Sequence, residues 1–82
     1  MTRDEIFSRV VAQLQNIAPG CEPESADPDA DLREELDIDS MDFLNFIIAM
    51  HKALGVDIPE DDYPKLMTMN GLIDYLQKKT AG

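Results

Sequence analysis

Cysteine is nearly missing from this chain. Cys21 stands alone, so no disulfide can form within the molecule. A single thiol suits a reducing, cytoplasmic setting. Tryptophan is absent, and the aromatics are three Phe and two Tyr. The core must therefore be largely aliphatic, with five Met as adaptable filler. Positive charge is scarce too: seven Lys and Arg face 17 Asp and Glu, for a net charge of −10. Phosphate contacts need Lys and Arg, so a nucleic-acid partner is disfavoured. An anionic membrane surface is disfavoured for the same reason. Proteins with basic patches, found by electrostatic steering, fit this charge better. No apolar run approaches the ~20 residues of a membrane-spanning helix. The opening "MTRDEIFSRV" lacks the apolar centre of a secretory signal.

What is present points to a small globular unit. Apolar residues make up 44% of the chain, enough to fold around a core. Its 82 residues read as one domain, 1–82. A domain of this size buries little more than ~60% of its unfolded surface, which leaves scant depth for an enclosed active site.

Helical periodicity dominates. "TRDE" reads as a capping box, with Thr2 as N-cap and Glu5 reaching back. Ile6, Phe7, Val10, Val11, Leu14 and Ile17 then recur at three- and four-residue spacing, which predicts an amphipathic helix of about four turns. Pro19 and Gly20 end it. Residues 19–35 carry Pro19, Pro23 and Pro28 without periodicity and read as a long loop; "LREEL" at 32–36 adds one helical turn. "SMDFLNFIIAMHKAL", residues 40–54, is the strongest helix, capped by Asp39 or Ser40 and followed by Gly55. A short helical segment is expected near 60–66, weakened by Pro64. Thr68 caps a last helix through Leu72, Ile73, Tyr75 and Leu76, with Lys78 and Lys79 at its C-terminal end. The expected fold is all-α: a bundle of three main helices plus one short one.

Residues 22–42 hold ten acids and one base, Arg33. Asp27, Asp29 and Asp31 occupy positions one, three and five of a calcium loop, which also needs Gly at six and Glu at twelve. Leu32 and Ile38 stand there instead. A loop begun at Asp37 fails as well, with Met41 at five and Ile48 at twelve. These acids read as a solvated acidic loop, and no metal site is assigned.

A catalytic serine needs a base within hydrogen-bond reach. His51, the one histidine, lies eleven residues after Ser40, ~16 Å along a helix. No catalytic residue is assigned. His51 reads as a partly exposed residue near a helix end, and Cys21 as a bystander thiol. On the middle helix Phe43, Phe46, Ile47, Met50 and Leu54 form a sufficient core stripe. Met41, Leu44 and Ile48 make a second apolar face beside Asp42, Asn45 and Lys52, either buried in the bundle or offered to a partner.

The string "ELDIDSMDF", followed by "GVDIPEDD" and "MTMNGLIDYL", resembles the acyl carrier protein family over nearly the whole chain. The resemblance implies that Ser40 carries 4′-phosphopantetheine through a phosphodiester, making the chain a phosphoprotein. A separate phosphopantetheinyl transferase would deliver the group from coenzyme A, and Asp39 would help it recognise the site. Ser40 would cap the unmodified helix and anchor the arm at the same place. Acyl cargo would ride as a thioester, as in fatty acid biosynthesis and other lipid metabolism. Met41, Asp42, Leu44, Asn45 and Ile48 fall on the side that carriers present to partners. Those partners would be ligases or synthases with basic and apolar docking patches, and the carrier a non-catalytic monomer.

Three departures refine the reading. Asp37 stands where the family usually has Gly, a position Asp can fill in left-handed backbone. Asn45, His51 and Lys52 stand where carriers of primary fatty-acid synthesis usually place acids, which suggests a specialised carrier with a dedicated partner. Phe43 and Phe46 point to the side where family members sequester acyl chains, which suggests cargo that is short, polar or held outside the bundle. Aminoacyl, peptidyl and polyketide carriers share the same serine logic. An acidic interaction module that is never modified is the competing reading from a different class.

Overall fold

The computed structural model describes residues 1–80. Helix α1 spans Arg3–Ile17 and begins with the expected capping box. The Glu5 N–H donates to Thr2 Oγ1 at 3.2 Å, and the Thr2 N–H donates to the Glu5 carboxylate at 3.4 Å. Asp4 and Glu5 in the first turn suit the positive end of the helix dipole. Ile6, Val10 and Leu14 form its buried stripe. The helix closes with the Ala18 N–H on the Leu14 carbonyl, and Gly20 takes the positive φ of the turn that follows.

The acidic stretch that showed no periodicity is nonetheless built. It holds a 3₁₀ turn at Pro23–Ser25, with Pro23 buried, and a one-turn helix α2 at Leu32–Glu35. Its order comes from partners about forty residues away. The Leu32 N–H donates to the Met67 carbonyl, the Asn70 N–H to the Pro28 carbonyl, and the Asn70 side chain to Asp29. Asp31 and Thr68 pair as an isolated antiparallel bridge.

Helix α3 spans Ser40–Leu54 and ends at Gly55, whose φ of 66° closes the helix in the left-handed region. Phe43, Phe46, Ile47 and Met50 are buried as the periodicity predicts, while Leu54 is only half-buried against the core. Val56 and Ile58 continue the core in extended backbone. Residues Glu60–Leu66 form a 3₁₀ helix rather than α-helix. Pro64 fits there because a proline lacks an N–H and clashes with the carbonyl four residues back in an α-helix. Helix α4 spans Met69–Thr80 and opens with the Gly71 N–H on Thr68 Oγ1 at 3.0 Å. Met69, Leu72, Ile73 and Leu76 face inward.

Helix α1 packs on both α3 and α4, and the 3₁₀ segment packs on α4. One continuous core joins Ile6, Val10 and Leu14 to Leu32, Phe46, Met50, Leu66 and Leu76. The fold is thus the expected all-α bundle: three main helices and one short one, with no strand among the described residues.

Candidate functional site

Ser40 is the first residue of α3, and its side chain is exposed. Two features of the approach put it there. Asp37 adopts a φ of 54°, the one non-glycine residue among those described with positive φ, and reverses the chain after α2. Ile38 then drops into the core, with its N–H on the Arg33 carbonyl at 3.0 Å. The turn expected of Asp37 is therefore formed.

The cap is Asp39, not Ser40. The Asp42 N–H donates to Asp39 Oδ1 at 2.8 Å, and Asp39 has the extended backbone of an N-cap. This corrects the expectation that the serine itself caps the unmodified helix. Asp sits one residue earlier, where its carboxylate reaches the N–H of the third helical residue directly. The Ser40 hydroxyl is left outside the capping arrangement and accepts from Arg33 Nη1 at 3.4 Å.

Arg33 is the residue that sequence reasoning passed over. Its Nη2 and Nε donate to the two Asp31 oxygens at 2.9 and 3.3 Å, and its Nη1 turns to Ser40. Asp31 also caps α2 through the Arg33 N–H at 2.9 Å. These contacts hold the Asp31 carboxyl below the usual carboxylate range and raise the Arg33 guanidinium. The signal was available: Arg33 is the one base among ten acids, seven residues before the serine.

Three further acids of the loop are engaged within the protein. Asp27 accepts from the Asp29 N–H, Glu35 accepts from the Asp27 N–H, and Asp29 accepts from Asn70. Cys21 is half-buried, with its Sγ directed at the Leu14 carbonyl; burial pushes its thiol up.

The two faces of α3 separate as the spacing suggested. Met41 is 65% exposed and Ile48 43%, with Asn45 exposed between them and Leu44 and Asp42 half-buried. On the opposite side the Phe43 and Phe46 rings are buried, 5.9 Å apart and tilted by 42°. Lys52 and His51 are exposed. The His51 Nδ1–H donates to the Val56 carbonyl, which fixes the ring on the helix end. A cavity of 230 Å³ beside α3 is lined by Ile47, Ile48, His51, Asp57, Ile58 and Tyr63 and is open to solvent.

A phosphodiester fits the chemistry at Ser40. The hydroxyl is accessible, the unpaired N–H groups and dipole of a 15-residue helix point at it, and a guanidinium lies in reach.

Comparison with known proteins agrees. A family model described as a phosphopantetheine attachment site matches residues 8–76, a span that includes Ser40. The chain is 32% identical over 81 residues to an acyl carrier protein of Thermosynechococcus vestitus, with 99% of each chain covered. It is 36% identical over 61 residues to an acyl carrier protein of Desulforapulum autotrophicum, covering 74% of this chain and 79% of that one. A third, from Rubrobacter xylanophilus, is 29% identical over 76 residues, covering 93% of each. With its serine at the head of α3 and its match across both ends of the bundle, the chain belongs to the acyl carrier protein family.

Proposed function

We propose that residues 1–82 act as one carrier domain whose arm is attached through Ser40. The chain is a non-catalytic acyl carrier, and its prosthetic group is covalent 4′-phosphopantetheine. That group, when attached, supplies a thiol at the end of a long flexible arm, where cargo is held as a thioester. The observation that carries the assignment is the Ser40 hydroxyl, exposed at a helix N-terminus and free of the capping role that Asp39 performs.

The remaining roles follow from exposure and charge. Asp39 presents its carboxylate beside the serine and serves transferase recognition as well as the cap. Met41 and Ile48 offer apolar surface next to the attachment point, and Leu44, Asn45 and Asp42 complete the docking side. Its partners are a phosphopantetheinyl transferase and acyl-loading ligases or synthases with basic and apolar patches. Exposed Asn45, His51 and Lys52 weaken the acidic character of this face. They support a specialised carrier with a dedicated partner rather than the general fatty-acid enzymes. The buried Phe43 and Phe46 rings, and the small open cavity lined by Ile47, Ile48 and Tyr63, support cargo that is short, polar or held outside the bundle. Among the described residues no helix is long and apolar enough to cross a membrane. The net charge and single cysteine support a monomeric cytoplasmic carrier.

The test is intact mass after incubation with coenzyme A, magnesium and a broad-specificity phosphopantetheinyl transferase, with Ser40→Ala alongside. A gain of one phosphopantetheine in the wild type alone is the expected result. Well-folded wild type that gains nothing from several transferases would sink the assignment in favour of an unmodified acidic interaction module. Loading assays with fatty, polyketide-type and amino acids then separate the classes of cargo.

A further inference from the structure

We propose that Arg33 is the anchor of the phosphodiester on loaded Ser40, holding the root of the arm against α2. The inference rests on Ser40 being the attachment residue. Nη1 already stands 3.4 Å from Ser40 Oγ. In a phosphodiester the nonbridging oxygens lie one bond beyond phosphorus, so one of them comes within hydrogen-bond reach of Nη1 without rebuilding the site.

The guanidinium is oriented for this. Its Nε and Nη2 edge is occupied by Asp31, and Asp31 is itself fixed as the cap of α2. The Nη1 edge is what remains to meet a new anion, and it faces the serine. Arginine suits the task, since its planar fork serves a carboxylate and a phosphate oxygen at once.

Charge makes the contact selective. Loading adds a negative charge to a chain already at −10, beside the cap Asp39 and Asp42 in the first turn of α3, and after Glu34, Glu35 and Asp37. Across residues 22–42 Arg33 is the one cation available to offset it. The first link of the arm is therefore held on the α2 side of the α3 N-terminus, and the atoms beyond it swing.

The experiment compares loaded wild type and Arg33→Gln, with loading confirmed by intact mass. The ³¹P resonance of the diester is expected at separate positions in the two proteins, by more than the linewidth. In the wild type it should move toward the Arg33→Gln position as salt rises from ~0.01 to ~1 M, because an exposed ion pair is screened. After subtracting the difference between the unloaded proteins, loaded wild type should melt about 1 to 4 °C above loaded Arg33→Gln. Coincident resonances, with no salt response in the wild type and no difference in melting, overturn the role of Arg33 while leaving Ser40 as the attachment site. A wild-type resonance that does not move with salt overturns the role of Arg33 even when the variant loads poorly. Wild type that gains no mass overturns both assignments together.

Discussion

The side-chain amide of Asn70 donates to the Asp29 carboxylate at 2.8 Å, across 41 residues of chain. Its backbone N–H donates to the adjacent Pro28 carbonyl at 3.0 Å. One residue at the start of α4 thus holds the acidic loop twice. Asn70→Ala removes the side-chain half and keeps the backbone half. We expect a loss of about 1 kcal/mol in urea unfolding, and amide exchange around residues 27–32 that quickens several-fold.

Gly71 is required by packing rather than by its backbone angles. A Cβ built there would stand 2.6 Å from the Lys65 carbonyl oxygen and 3.0 Å from Thr68 Oγ1. Alanine is the better helix former by about 1 kcal/mol, but the clash is with backbone that cannot turn aside. Gly71→Ala is expected to destabilise by about 1 to 3 kcal/mol. A melting temperature equal to or above the wild type would refute this.

The division of labour between Asp39 and Ser40 separates stability from modification. Asp39→Ala loses the cap and should cost about 1 kcal/mol. Ser40→Ala loses no cap and should stay within about 0.5 kcal/mol of the wild type while abolishing the mass gain. Asp39→Asn preserves the cap but not the charge. It should therefore fold normally and load several-fold more slowly, which chemical denaturation and a timed loading assay together would read.

The Tyr75 hydroxyl donates to Asp62 Oδ2 at 2.6 Å, joining α4 to the 3₁₀ segment. Burial, then this hydrogen bond, push the phenol up to about 12 from 10.0. The same bond holds the Asp62 carboxyl below its ordinary 3.8. For the raised phenol, the stabilisation is complete below pH 10 and is lost as pH climbs through about 12. For the lowered carboxyl, it is present above 3.8 and is lost as pH falls through the depressed value. Tyr75→Phe removes the pair. The stability difference between wild type and variant should be flat near neutrality and shrink at both extremes. A difference that grows on acidification would contradict the geometry.

Local order was legible in the sequence wherever it is local in origin. The capping box of α1, the Gly55 stop of α3 and the Thr68 start of α4 all use partners within a few residues, and each stands where the spacing put it. The left-handed turn at Asp37 was legible only through the family resemblance, which puts Gly there, and Asp is among the few other residue types that accept that backbone. Residues 19–35 were read as a long loop because their partners, Met67, Thr68 and Asn70, lie in a distant segment, and no periodicity encodes a contact between two segments. Arg33 escaped for a related reason. That it is the one base among ten acids was visible, but the reach of its guanidinium over the turn to Ser40 was not. The choice between Asp39 and Ser40 as cap needed the position of one carboxylate oxygen.

The pairing of Arg3 with Asp74 and Gln77, near opposite ends of the sequence, also sets an order in time. During synthesis α1 emerges first, and α4, which covers part of its buried stripe, follows about sixty residues later. At roughly 5–20 residues per second that is a wait of several seconds, against about a microsecond for a helix to form. Ile6, Val10 and Leu14 stay partly uncovered on the nascent chain throughout that interval. The last face of α1 is therefore covered only after the serine and its approach have been synthesised.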